Sequence, residues 1–393
     1  MALPTTDDEL WRYTPIKNLD LSGYALAGLD DATLERPDGG SVFAGAVDDR
    51  AALVVIVDGR VVTTDLAASS AAAGLTIEAG AATSMLDVPD PDALSALHDA
   101  FVGDVVVVRV AKGAVIDRPI VVVQVSSESN AASFPHVIFD VGEQAEVTIV
   151  DHWTSSGSGG AGAFVSPVVE LRSAAAANVR YVCIQDFAAD SWSTGHLLIA
   201  PGRDATTKVW LAALGGRYAR VYIDAELADQ AATVDIAGVY FGENDQVLDF
   251  RSLQDHRSSR TVSNLLLKGA VVDRAHAVYT GMIRVREGAK ATESFLANRN
   301  LVLADGAHVD SVPNLEIVNE NDIKSCGHAA ATGPVDEEHV FYLESRGVPT
   351  DVAQRLIVFG FFDDVVAGIP VPGVHEPLRT AIARKLAKAH VDA

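Results

Sequence analysis

A mainly β protein is predicted, with a long strand-rich core between a mixed N-terminal region and a helical C-terminal one. Three observations carry that prediction. From about residue 105 to 323, short runs rich in Val, Ile, Thr and Tyr recur between small-residue turns, with no helical periodicity. A turn of one shape keeps returning within that stretch, as Lys268-Gly-Ala-Val271, Glu287-Gly-Ala-Lys290 and Asp305-Gly-Ala-His308, whose alanines Ala270, Ala289 and Ala307 are almost evenly spaced. A recurrence near roughly 20 residues is what a coil of a parallel β-solenoid would use, each coil burying its apolar face by stacking on the next. The last part of the chain then changes to helix signals. A β-sandwich with Gly-rich turns accounts for the strands almost as well from pattern alone.

The elements follow in order. In residues 1–104, Trp11-Arg-Tyr-Thr-Pro15 reads as extended, because Pro15 biases Thr14 away from helix. Ala51–Val57 and Val61–Thr64 flank Asp58-Gly59-Arg60, a hairpin signal. Asp92–Phe101 places Leu94, Leu97 and Phe101 at helical spacing. Residues 105–325 form the predicted core, with strands such as Val105–Val110, Ile120–Val125 and Val179–Ile184. Residues 326–393 form the helical part. Asp336–Ser345 ends at a Gly347-Val-Pro349 stop, Thr350–Ile369 restarts with Thr350 as N-cap, and His375–His390 is amphipathic. The middle helix is apolar nearly all round, through Val352, Leu356, Ile357, Val358, Phe359, Phe361, Phe362, Val365 and Val366, so its own domain or a partner must enclose it.

Composition excludes several classes. The chain has 393 residues, 49% apolar and 21% charged, which is ordinary globular usage, and two or three domains at roughly 150 residues each. Lys plus Arg number 30 against 53 Asp plus Glu, a formal charge of −23 that repels a phosphate backbone and argues against docking on anionic lipid. Two cysteines, Cys183 and Cys326, cannot build a disulfide framework or a four-thiolate site. With no secretory signal and no apolar run near the roughly 20 residues that span a bilayer, a cytoplasmic protein is expected.

Cys326-x-His328 is the strongest chemical candidate. On a strand, residues i and i+2 face one side about 7 Å apart, and thiolate and imidazole both ligate iron or zinc. Two ligands do not close a metal site, and a structural Cys beside a hydrogen-bonded His fits the same spacing. Cys183 reads as a core residue. The Gly-rich segment from Ser155 to Gly162 lacks the Gly-Lys-Ser/Thr ending of a phosphate loop and reads as a flexible connection. Asp224-Ala-Glu226, Asp249 and Asp255 supply acids that a β-helix polysaccharide lyase or glycosidase would need to cluster, the main rival from another class.

At the junction of strands and helices the residues become specific. Ser311-Val-Pro-Asn-Leu-Glu-Ile317, Asn321-Asp-Ile-Lys324, Cys326-Gly-His328-Ala-Ala-Ala-Thr-Gly333, Asp336-Glu-Glu338, Phe341-Tyr-Leu343 and Ser345-Arg-Gly347 stand in one order. With His98-Asp-Ala-Phe101, Val115-Ile-Asp-Arg-Pro-Ile120 and the Trp11 block, they resemble the SufB/SufD family over most of the chain. Asn298 stands where SufB-like chains carry a cysteine, and Gly327 and Ala329 replace the glutamates flanking their histidine. The chain is therefore more similar to the SufD branch, although His328-Ala-Ala-Ala-Thr-Gly333 departs from that branch's HGATVG. The resemblance implies a right-handed parallel β-helix core between helical ends. It implies a non-ATPase subunit of a SufB–SufC–SufD scaffold for iron–sulfur cluster assembly, with a SufB-like chain and a SufC-like ABC ATPase as partners. A SufB-like homodimeric scaffold is the alternative within the family. Under this reading His328 and Cys326 contribute ligands to iron or a nascent cluster at the partner interface, which this chain alone does not hold stably. Leu356, Ile357, Phe359, Phe361 and Phe362 form the platform for the ATPase.

Overall fold

Val105–Val110 lies parallel to His136–Val141, which lies parallel to Val168–Ser173, and the pattern continues strand by strand to His308–Ile317. A second sheet runs beside the first, from Ala52–Val57 through Ile120–Ser126 to Ser325–Gly333. The chain alternates between the two sheets, so each coil contributes one strand to each. This is a parallel β-solenoid, and among the described residues the antiparallel pairing of a sandwich occurs only where Arg60–Leu66 and Leu75–Ala79 close the N-terminal end. The computed structural model describes residues 3–28, 41–80, 85–89, 91–156, 162–318 and 322–388. Residues 157–161 of the Gly-rich segment, Asn321 and His390 lie outside the described residues.

The coil is longer than the Gly-Ala spacing implied. Trp192 pairs with Tyr218, and Glu293 pairs with Ser325, so the chain travels well past that spacing before it returns to the same sheet position. Lys268-Gly-Ala-Val271 is not a turn but the end of the strand Val262–Val271, where Gly269 lies against the Tyr240 ring and a Cβ would collide with it. The corners that do repeat put one residue in the left-handed region, at Gln144, Ala176, Asp204, Ala231, Arg260 and Ala291. Each is followed by a buried small residue, Ala145, Ala177, Ala205, Ala232, Thr261 or Thr292. Only a small side chain fits where the chain bends inward onto the coil below.

Local signals are realised closely. The Asp58-Gly59 turn joins Ala52–Val57 to Arg60–Leu66 with φ of 49° and 83°, the positive pair that a two-residue type I′ hairpin requires. Ala93–Phe101 is a helix whose Asp92 cap accepts from the Leu94 and Ser95 backbone N–H groups, while Ser95 Oγ accepts from the Asp92 N–H. Thr350 differs from expectation: Pro349 occupies the N-cap position and Thr350 is the first helical residue. The β core also exceeds the expected 105–325. It draws in Ala52–Val57 at one end and Ser325–Gly333 at the other, and the first C-terminal helix begins at Glu337.

Three apolar layers result. The lumen between the sheets is filled by Phe139, Trp153, Tyr181, Tyr240, Phe250 and Tyr279, with Cys183 buried among them. The C-terminal helices Thr350–Ala367 and Pro372–Lys388 cover the outer face of the second sheet, burying Val358, Phe362, Val366 and Leu378 against Val239, Phe241 and Ala270. The N-terminal segment covers the outer face of the first sheet through Trp11, Ile16, Leu19 and Leu94. Strands covered on both faces read as continuous apolar runs, which is why Ile120–Ser126 shows no alternation. Among the described residues, no helix is long and apolar enough to cross a membrane.

Candidate functional site

The two ends of the solenoid differ. The N-terminal end is closed by the antiparallel strands and the short helix Ala68–Ala72 between them. The C-terminal end finishes in two parallel strands, His308–Ile317 and Ser325–Gly333, whose outer edges pair with no strand among the described residues. No residue of either strand is buried, whereas the strands one coil below, His276–Val285 and Glu293–Val302, are buried at half or more of their positions. Leu315 and Val318 are exposed there, and Val309, Ile317, Ile323 and Cys326 only partly cover the lumen.

Cys326 and His328 sit on this terminal strand, in register with Ser294 and Leu296 one coil below. Leu296 faces the lumen, so Cys326 and His328 share the lumen-facing side at its open mouth. Cys326 is half-buried, and burial pushes its thiol up, so the thiol stays protonated until a metal or base takes the proton. His328 is exposed.

Beneath them lies a polar floor. Asn298 is fully buried, two positions along from Leu296. Its Oδ1 accepts from Asn300 Nδ2 at 2.8 Å and from Ser311 Oγ at 2.8 Å, and its Nδ2 donates to Tyr240 Oη at 3.1 Å. Asn300 Nδ2 also donates to Thr332 Oγ1 of the terminal strand at 3.2 Å. Asn298 therefore faces the same open lumen as His328, held in place by hydrogen bonds.

The family model described as SUF system FeS cluster assembly, SufBD core domain, matches residues 123–361, more than half of the chain. The chain belongs to the SufBD family. Among its relatives, an iron–sulfur cluster assembly SufBD family protein of Mycobacterium leprae is 34% identical over 98% of this chain and 91% of its own length. A Mycobacterium bovis protein of the same description is 32% identical over 98% and 89%. The iron–sulfur cluster assembly protein SufD of Escherichia coli is 27% identical over 98% and 90%. Membership places this SufBD chain in iron–sulfur cluster assembly.

The acids of the carbohydrate-enzyme reading do not form a free catalytic pair in this SufBD chain. Asp249 is fully buried; burial opposes its ionisation, but Arg220 at 2.6 Å and Arg251 at 2.9 Å hold its carboxyl below the usual range. Arg257 bridges Glu226 and Asp255, and Arg286 adds a second cation to Asp255.

The helix residues lie apart from Cys326 and His328. Phe362 is buried against the second sheet, so its side chain anchors the helix and is not available as it stands to a docking partner. Ile357, Phe359 and Phe361 are half-buried, and Leu356 is exposed. Sequence reasoning placed Phe341 and Tyr342 only within the resemblance, yet both are exposed on the neighbouring helix Glu337–Ser345. It also missed His276, His308 and Asp310, which converge across two coils. His308-x-Asp310 is a short-range pair that means little alone, and its partner His276 could not be read locally, because the strands that carry the two histidines meet only after a full coil of chain.

Proposed function

We propose that this chain is a SufD-like, non-ATPase subunit of a SufB–SufC–SufD scaffold complex on which iron–sulfur clusters are assembled. The open C-terminal end of the solenoid is the observation that supports it. Two bare parallel strands at one end are a template for a second solenoid to extend both sheets, and they bring Cys326 and His328 to the junction. There the imidazole and, once deprotonated, the thiolate supply two ligands to iron or a nascent cluster, which is cargo, and the partner chain or sulfide completes its coordination. The exposed Leu356, Phe341 and Tyr342 are suited to carry the SufC-like ATPase.

The test is co-expression with SufB-like and SufC-like chains. His328→Ala is expected to lower cluster content, read from visible absorption and iron analysis, at unchanged subunit stoichiometry and thermal midpoint. Failure of the wild-type chain to co-purify with the SufB-like chain would overturn the subunit reading. Unchanged cluster content in the variant would overturn the ligand role.

A further inference from the structure

The outer face of the first sheet carries three polar clusters along its length, and two are roofed by the N-terminal region. His98 of the Ala93–Phe101 helix meets His136 at 3.0 Å, and His136 meets Glu170 at 2.9 Å. Further along, Arg220 and Arg251 clasp Asp249, and the Arg220 guanidinium lies 3.5 Å from the centre of the Trp11 ring. The third cluster, His276, His308 and Asp310, reaches the last coil, where His308 is 66% exposed.

Parallel pairing builds this third cluster. His276 and His308 are direct register partners, with ring centres 5.2 Å apart, and Asp310 lies two positions on along the same face. His276 Nε2 lies 2.7 Å and His308 Nε2 3.4 Å from Asp310 Oδ2, and one ligand atom from each residue falls within 4.8 Å of the others. Donor atoms around a four-coordinate ion at about 2.0–2.1 Å stand roughly 3.3 Å apart. A small rotation of the exposed His308 ring would close the remaining gap.

We propose that His276, His308 and Asp310 form a binding site for one divalent first-row transition-metal ion. Two imidazoles and one carboxylate suit zinc or iron(II), whereas magnesium and calcium prefer all-oxygen sets. Three ligands leave at least one position open to water or a further donor. For His276 to ligate through Nε2, its single ring proton must stand on Nδ1, the neutral tautomer in which Nε2 offers its lone pair to the ion. The site shares no residue with Cys326 and His328, and either assignment can fail alone.

The test is titration of the chelator-treated full chain with cobalt(II) chloride, followed by visible d–d absorption and competition with zinc. One saturable equivalent is expected, without the thiolate charge-transfer band that Cys326 would add. His276→Ala, His308→Ala and Asp310→Asn should each weaken it by more than about tenfold. Cys326→Ser and His328→Ala should leave it unchanged. His308→Ala is the decisive variant, because an exposed side chain can be removed without a packing loss, and its melting curve checks the fold. Absence of saturable uptake by the wild type, or uptake that survives His308→Ala and Asp310→Asn, would overturn the site and leave a structural His–Asp contact.

Discussion

Arg220, Asp249 and Arg251 show how single residues fasten one layer of this molecule to another. Arg220 is wholly buried, donates to Asp249, Tyr222 Oη and the Leu10 carbonyl, and stacks on Trp11. One carboxylate thus fixes the cation that pins the N-terminal segment. Asp249→Ala strands two buried guanidinium groups and is expected to cost about 3–5 kcal/mol, measured by urea unfolding. Asp249→Asn should recover part of that loss, because its amide oxygen still accepts a hydrogen bond. A second consequence concerns acid. Burial lowers His98, His152 and His196 to about 3 and His256 to about 4, so they remain neutral in the folded chain. The unfolded chain binds protons on them near 6.5, so stability is complete above that pH and declines as pH falls toward 3. Asp151 acts in the opposite sense: burial raises it to about 6, so the folded state takes up its proton first and gains stability between about 6 and 4. Burial also raises Asp58 and Asp186, but the four histidines act together with Glu170, Asp249 and Asp255, whose carboxyls are held low, so a net fall in thermal midpoint is predicted from pH 6.5 to pH 4, and a midpoint that stays level would contradict the neutral histidines.

The Thr350–Ala367 helix is the element on which fold and partner binding meet. Its inward side buries Val358, Phe362, Val365 and Val366, and Lys268 of the second sheet reaches out to its Asp364 carboxylate at 2.7 Å and the Phe361 carbonyl at 2.8 Å. Removing residues 336–393 would bare the sheet face that these residues cover, so truncation would disturb the core as well as any docking. Point substitutions separate the roles. Phe362→Ala should destabilise the chain by about 3–5 kcal/mol in denaturant unfolding, through a cavity against the sheet. Leu356→Ala, on an exposed position, should leave unfolding within about 0.5 kcal/mol and weaken capture of the SufC-like ATPase in a pull-down. Equal stability losses in the two variants would contradict this division of the helix.

At the scale of the whole molecule, a solenoid has two ends, and the described residues close only one of them. Leu315 and Val318 are exposed at the open end, beside the edge of His308–Ile317. A double substitution, Leu315→Lys with Val318→Lys, puts charge where a second solenoid would approach. It should abolish co-purification with a SufB-like chain while the isolated protein keeps its thermal midpoint; light scattering after gel filtration reads the assembly. Undiminished assembly would place the partner on another face.

The sequence by itself determined what depends on near neighbours: the Asp58-Gly59 hairpin, the Asp92 cap, the strand-rich core, the helical C-terminal part, and the ordered motifs around Cys326 and His328 that place the chain in its family. These are legible because turn chemistry, capping and side-chain alternation act over short stretches of chain. Only the tertiary structure decided the coil. The interval from Trp192 to its register partner Tyr218 is shorter than that from Glu293 to Ser325, so no fixed period exists to be read. The near-even Gly-Ala spacing had joined a strand end to corners of other coils. Stacking likewise turned Phe362 inward and Leu356 outward on a helix apolar all round. It also set His276 beside His308 and opened the lumen at His328, because contact between coils depends on which strand lies on which, and local pattern does not encode that.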